Sequence, residues 1–169
     1  MWGDNIMVAP KLGEPVQMGM AMSGVYQMDI YLPYGEDWYF YPTKELMPAS
    51  VDNQELFLGD EQQGVFVKGG SILPILNFDL DRMSILEAIY DPIRLEIFPE
   101  TNSGTAQGTL YLDDGMTNAY KDYNAHTSVQ FMWDGANLSV NKLTSNVYAE
   151  ASNKMINEVV IVGVLSQPT

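Results

Sequence analysis

Apolar and polar residues along this chain alternate in short runs that glycine, proline and Asp-Gly pairs interrupt every few residues. Asn5-Ile-Met-Val-Ala-Pro10 is a compact apolar run stopped by proline, and with both faces apolar it reads as a fully buried strand. Residues 11–24 carry Gly13, Pro15, Gly19 and Gly24 and read as a loop, in which Met18, Met20 and Met22 show no burial pattern. Val25 to Leu32 resumes as a strand closed by Pro33. Tyr34-Gly-Glu-Asp37 then makes a turn, and Trp38-Tyr-Phe-Tyr41 is an aromatic strand ended by Pro42. Residues 43–54 are polar and irregular, and Glu55-Leu-Phe-Leu58 is a short strand before a turn at Gly59-Asp60. Gly64-Val-Phe-Val-Lys68 and Ser71-Ile-Leu-Pro-Ile-Leu76 are strands on either side of Gly69-Gly70, a pair that permits a kink or a close backbone approach.

Residues 77–91 interrupt the β pattern. Met83, Leu86 and Tyr90 fit one short helical stripe there, and Asp79, Asp81 and Arg82 are polar, so the segment reads as a boundary. Pro92-Ile-Arg-Leu-Glu-Ile-Phe98 alternates again, with Ile93, Leu95 and Ile97 on one face. Thr109 to Leu112 is a strand that runs into Asp113-Asp114-Gly115, where Gly115 can take positive φ and the aspartates can bond nearby amides. Thr127–Trp133 and Ala136–Val140 flank Asp134-Gly135, which predicts a hairpin with a type I′ turn and positive φ at both residues. Residues 141–155 are polar and ambiguous. Glu158 to Leu165 is a near-continuous apolar run, predicted to be a central strand. About ten short strands with little helix predict an all-β fold, a sandwich or barrel rather than α/β.

Length and charge narrow the function classes. The 169 residues suffice for one large domain or two small ones. A net charge of −14 argues against nucleic acid or an anionic membrane as partner, since both need clustered Lys and Arg. The absence of cysteine excludes disulfides and thiolate metal sites. The N-terminal residues lack the pattern of a signal peptide, and no apolar run reaches the roughly 18–20 residues of a transmembrane helix.

Few residues offer chemistry. Adjacent Asp113 and Asp114 would point to opposite faces of a strand, so a turn or capping role suits them better than paired acid/base catalysis or calcium binding. His126 is the single histidine, and with no cysteine beside it a zinc site is disfavoured, leaving a loop histidine. Trp38, Tyr39 and Tyr41 could stack against a sugar, or they could fill the space between two sheets, which is the commoner fate of such aromatics. Asn137-Leu-Ser139 is an N-glycosylation sequon, placed by the pattern in a strand and common by chance. Gly-rich phosphate loops, nucleophile elbows and metal-spaced clusters are missing, so no catalytic residue and no cofactor is assigned.

Several stretches in order resemble the C-terminal region of glycoside hydrolase family 31, the α-glucosidases and their relatives. They are Gly3-Asp-Asn-Ile-Met-Val-Ala-Pro10, Val25 to Pro33, Trp38-Tyr39, Val65-Phe-Val-Lys-Gly-Gly-Ser-Ile-Leu-Pro74 and Gly108-Thr-Leu-Tyr-Leu-Asp-Asp-Gly115. Asp91-Pro-Ile-Arg-Leu, Gly104-Thr-Ala-Gln-Gly and Val159-Val-Ile-Val-Gly163 are similar to the glucosidase II α-subunit and neutral α-glucosidase C branch. The resemblance implies that residues 1–23 are the remnant of the last strand of a (β/α)8 barrel and its loop. It further implies a proximal β-sandwich over 24–77, a linker over 78–89 and a distal β-domain over 90–169. Lys68 departs from the arginine of many members and loses its planar fork. The span from Gly59 to Gly64 is shorter than their proline-rich approach.

The family's two catalytic aspartates lie upstream of the region this chain resembles. Trp2-Gly-Asp-Asn5 echoes the acid/base motif only superficially, because Ile6-Met-Val-Ala-Pro10 follows it. The resemblance thus implies non-catalytic β-domains of a retaining α-glucosidase, inactive alone, that support the barrel and the rim of its active site. The implied partners are that barrel, an α-glucoside or N-glycan substrate and a regulatory subunit. The implied compartment is the endoplasmic reticulum lumen or another secretory space. The rival expectation is a free-standing carbohydrate-binding or interaction module that uses Trp38 and Tyr41.

Overall fold

Strict alternation places Tyr26, Met28 and Ile30 on one face of a strand, and the computed structural model packs that face into a core. The structure describes residues 3–12, 14–18, 21–22, 24–47, 52–77, 91–144 and 154–163. Early strands are β1 (Ile6–Ala9), β2 (Gln17–Met18), β3 (Ala21–Met22), β4 (Val25–Ile30), β5 (Trp38–Phe40), β6 (Glu45–Leu46), β7 (Gln54–Gly59) and β8 (Gly64–Lys68). Later strands are β9 (Ser71–Leu76), β10 (Ile93–Phe98), β11 (Ala106–Leu112), β12 (Thr127–Trp133), β13 (Leu138–Lys142) and β14 (Ile156–Ile161). One short helix, α1 (Ala119–Asp122), separates β11 from β12. The chain divides into two compact units, Met1–Gly69 and Gly70–Thr169.

In the first unit one sheet runs β1-β8-β5-β6, and β4 pairs with β7 in another. The antiparallel register sets Tyr26 against Leu58 and Met28 against Leu56. These residues meet Trp38, Phe40 and Phe66 from the other sheet in one core. The Phe40 and Phe66 rings lie 5.5 Å apart in a tilted pair. Burying each such side chain contributes about 1.5–3 kcal/mol, so this cluster is the main source of the unit's stability. Phe57 points the other way and stays exposed. Two expected loops contain small strands. β2 and β3 pair within 11–24, and β6 pairs with β5 within 43–54.

The described residues do not show the barrel remnant expected over residues 1–23. β1 pairs antiparallel with β8, Ile6 opposite Val67 through Ala9 opposite Gly64, whereas strands of a (β/α)8 barrel pair in parallel. Gly64 makes this approach feasible, because a Cβ there would lie 2.4 Å from the Ala9 carbonyl oxygen. Nor is β1 fully buried: it lies at one end of the described sheet with Val8 exposed. An apolar run with proline after it looks the same at an edge as in a centre, and only pairing distinguishes them.

The second unit is built on a six-stranded sheet in the order β13-β12-β11-β9-β10-β14. Ile72, Ile93, Leu95, Ile97, Ala106 and Phe131 form its core, on the face that alternation assigned to β10. The expected first domain extended to residue 77. In the structure β9 pairs with β10 and β11, and the two units meet in sequence at Gly69 and Gly70. The helical stripe expected at Met83, Leu86 and Tyr90 and the whole linker expected over 78–89 lie outside the described residues. β14 is not central. It pairs in parallel with β10 at the end of the described sheet, leaving Ile156 and Val159 exposed.

The β12–β13 hairpin forms with Trp133 opposite Leu138, but its turn differs from the expected one. Gly135 has φ 96°, while Asp134 stays out of the left-handed region. Asp134 instead accepts the N–H groups of Ala136 and Asn137 on its carboxylate, at 2.9 and 2.6 Å. Its side chain closes the turn that two left-handed residues would otherwise have closed.

Candidate functional site

The aromatic run on β5 was one candidate surface. Trp38 is 3% exposed, and its indole N–H donates to the Pro33 carbonyl at 3.2 Å. Tyr39 and Phe40 are buried beside it. Burial raises the Tyr39 phenol above its usual pKa, with Asp37 adding to the effect. Tyr41 is half-buried, and the Lys44 ammonium lies 3.3 Å from its ring centroid. Positive φ at Lys44, 63°, belongs to the turn between β5 and β6. Trp38, Tyr39 and Phe40 thus pack inward, and the Lys44 ammonium lies over the Tyr41 ring.

Lys68, at the end of β8, pairs with Glu36 at 2.7 Å with both side chains about a third exposed or more. A point charge meets one carboxylate oxygen here, and a planar fork is not required. Asp4, in the turn before β1, is exposed.

Asp113 and Asp114 follow β11 and bind backbone. Asp113 accepts the Gly115 N–H at 2.9 Å, and Gly115 has φ 63°. Asp114 accepts the N–H groups of Met116 and Thr117 at 3.1 and 3.0 Å, and the Thr117 hydroxyl donates to its other oxygen. The Thr117 hydroxyl and these amides hold the Asp114 carboxyl below its usual pKa, which keeps it ionised. A general acid requires the reverse shift. The turn then leads into α1, with Thr117 accepting the Ala119 N–H at 3.2 Å.

Two further features lie beside this turn, and no sequence motif announced either. Tyr111 stacks on His126 with ring centroids 5.3 Å apart. Desolvation and then a hydrogen bond to Asp113 raise the Tyr111 phenol above its usual pKa. A cavity of about 270 Å³ opens where β9 and β11 part beyond their single paired position, Ser71 with Gln107. Leu76, Ile93 and Leu110 supply aliphatic wall, and Tyr111, Asp113 and Lys154 supply polar groups. Lys154 donates to the Asp91 carbonyl at 2.6 Å, and burial lowers its pKa against an opposing pull from Asp91. These groups come from positions 76, 93, 110 and 154, so only sheet topology brings them together.

Residues 1–73 match the glycosyl hydrolase family 31 C-terminal domain. Over that span the chain carries the C-terminal domain of glycoside hydrolase family 31. The matched span begins before β1, in agreement with the placement of that strand in the first unit's sheet. An α-glucosidase of Schizosaccharomyces pombe is 30% identical over all 169 residues, which correspond to 16% of that enzyme. The solved Tris-bound glucosidase II α-subunit is similar in fold, with a TM-score of 0.70 and 21% identity over 83% of this chain and 16% of that one. The family 31 α-xylosidase of Xanthomonas citri is similar over the whole chain and 17% of its own, with a TM-score of 0.62 and 22% identity. The chain therefore spans about a sixth of the relatives it matches.

Proposed function

We propose that this chain is the non-catalytic C-terminal β region of a family 31 α-glucosidase. Its role is to cover apolar surface of a catalytic (β/α)8 barrel and to shape the rim of the active site. The observation that carries the reading is the match of residues 1–73 to the family's C-terminal domain in a chain with 30% identity to an α-glucosidase over its full length. Chemistry supports it. A retaining glycosidase needs two convergent carboxyl groups about 5–5.5 Å apart, whereas Asp113 and Asp114 are both engaged by backbone N–H groups of their own turn.

In this reading the first unit corresponds to a proximal β-sandwich and the second to a distal β-domain. The partners are the barrel, an α-glucoside or N-glycan substrate and a regulatory subunit. The compartment is the lumen of the secretory pathway. The test is hydrolysis of an aryl α-glucoside by the purified chain and by the same chain joined to its barrel. We expect turnover only from the joined protein. Turnover by the chain alone would refute the non-catalytic role, and an inactive joined protein would refute the α-glucosidase assignment.

A further inference from the structure

The hairpin tip at 134–137 presents the amide of Asn137 to solvent, and Asn137-Leu-Ser139 meets the sequence requirement for N-glycosylation. Pattern alone put Asn137 inside a strand, where an acceptor amide would be held against the sheet. In the structure it precedes β13, and both Asn137 and Ser139 are exposed. Asp134 fixes the backbone N–H of Asn137 at 2.6 Å and takes one side-chain N–H at 3.2 Å, which holds the asparagine on a defined turn. Its Nδ2 carries a second N–H beyond the one given to Asp134.

The strand that follows has a reason to be covered. β13 pairs with β12 on one side and ends the described sheet on the other. Val140 is 54% exposed and Leu143 56% exposed along this edge. An exposed apolar edge strand is a template for pairing with another copy, which proteins block with charge, proline or a covering group. Lys142 supplies one charge there.

We propose that Asn137 is N-glycosylated and that the glycan shields the β13 edge from self-association. This rests on the luminal reading above. The donor is a polyprenyl-pyrophosphate-linked oligosaccharide, and an oligosaccharyltransferase performs the transfer. Asn137 Nδ2 forms a bond to the sugar C1, the C1–O bond to pyrophosphate breaks, and one amide proton passes to a base. Polyprenyl pyrophosphate leaves, and no electron acceptor is needed. The Ser139 hydroxyl supplies the polar group that the sequon requires two residues on.

The test expresses the full-length protein carrying this chain in secretory cells behind a heterologous leader and examines protein recovered from the medium. Within the peptide that contains residue 137, wild type and Ser139→Thr should carry a glycan that peptide N-glycosidase removes. Asn137→Gln and Ser139→Ala should lack it, and Ser139→Ala leaves the Asn137–Asp134 bond in place. Enzymatic removal of the glycan should raise the self-associated fraction measured by light scattering. Secreted wild type without a glycan on this peptide overturns the modification, and unchanged association after removal overturns the shielding. Fractionation of the source cells separates the two readings. A cytosolic natural protein defeats both, and a luminal protein bare at Asn137 defeats this proposal alone.

Discussion

Gly108 holds the seam of the second unit, and Gly108→Ala tests it. The six-stranded sheet consists of two ladders, β13-β12-β11 and β9-β10-β14, joined at the paired position of Ser71 with Gln107. A Cβ on Gly108 would lie 2.1 Å from the Ile72 carbonyl oxygen and 2.9 Å from the Ile72 carbonyl carbon. Both are backbone atoms, so the strands must part by about 1 Å rather than rotate a side chain aside. That retreat strains the bond from the Gln107 N–H to the Gly70 carbonyl, now 2.9 Å. Overpacking costs about 1–3 kcal/mol, and loss of one such bond adds about 1. Alanine restricts the unfolded chain and returns about 0.5. The net loss is about 1.5–3.5 kcal/mol. With a denaturant slope of about 2 kcal/mol per molar, the urea midpoint of the second unit should fall by about 0.8–1.8 M.

Gly104→Ala is the comparison. Gly104 has φ 68° but no atom within 4 Å of a Cβ position, so only backbone strain of about 1 kcal/mol applies. Gly108→Ala should therefore be the more damaging of the two. A Gly108→Ala midpoint equal to wild type, or above that of Gly104→Ala, would refute the seam argument.

Other substitutions separate packing from chemistry. Trp38→Ala should lower the stability of the first unit by about 3–5 kcal/mol in chemical denaturation, because it empties a core position. Saccharide titration should leave wild-type tryptophan fluorescence unchanged. Asp114 has a folded-state pKa below its ordinary value of 3.8. Its stabilising contribution is complete above the unfolded value and disappears as pH falls through the folded one. Asp114→Asn should therefore flatten the acid limb of the stability profile below about pH 4 and weaken stability above it, read by thermal melts across pH. Glu96, buried on β10, pairs with Arg94 at 3.0 Å, and Arg94 is a third exposed. Glu96→Ala should cost about 2 kcal/mol after allowance for that screening, while a same-shape Glu96→Gln should cost less, in urea unfolding.

Much of the fold was legible because side-chain alternation is a local property. Ile93, Leu95 and Ile97 on one face of β10 and Tyr26, Met28 and Ile30 on one face of β4 need no knowledge of partners. The same holds for the turn at Asp113-Asp114-Gly115, whose hydrogen bonds close within a few residues. The Asp134 turn shows the limit of such reasoning. A dipeptide preference named the hairpin, but a carboxylate that could bond forward changed the backbone conformation.

By itself, the amino-acid order determined the main strands, the buried faces of β4 and β10, the all-β class and the family resemblance. Those follow from periodicity and from short motifs read in order. Tertiary structure alone decided that β1 pairs antiparallel with β8, that β9 joins the second sheet and that β14 lies at an edge. It also brought Leu76, Leu110 and Lys154 around one cavity. The reason is physical. A strand's own residues choose which side chains face the core, but its neighbours are chosen by backbone hydrogen bonds between segments far apart in the chain, and these bonds leave no trace in side-chain order.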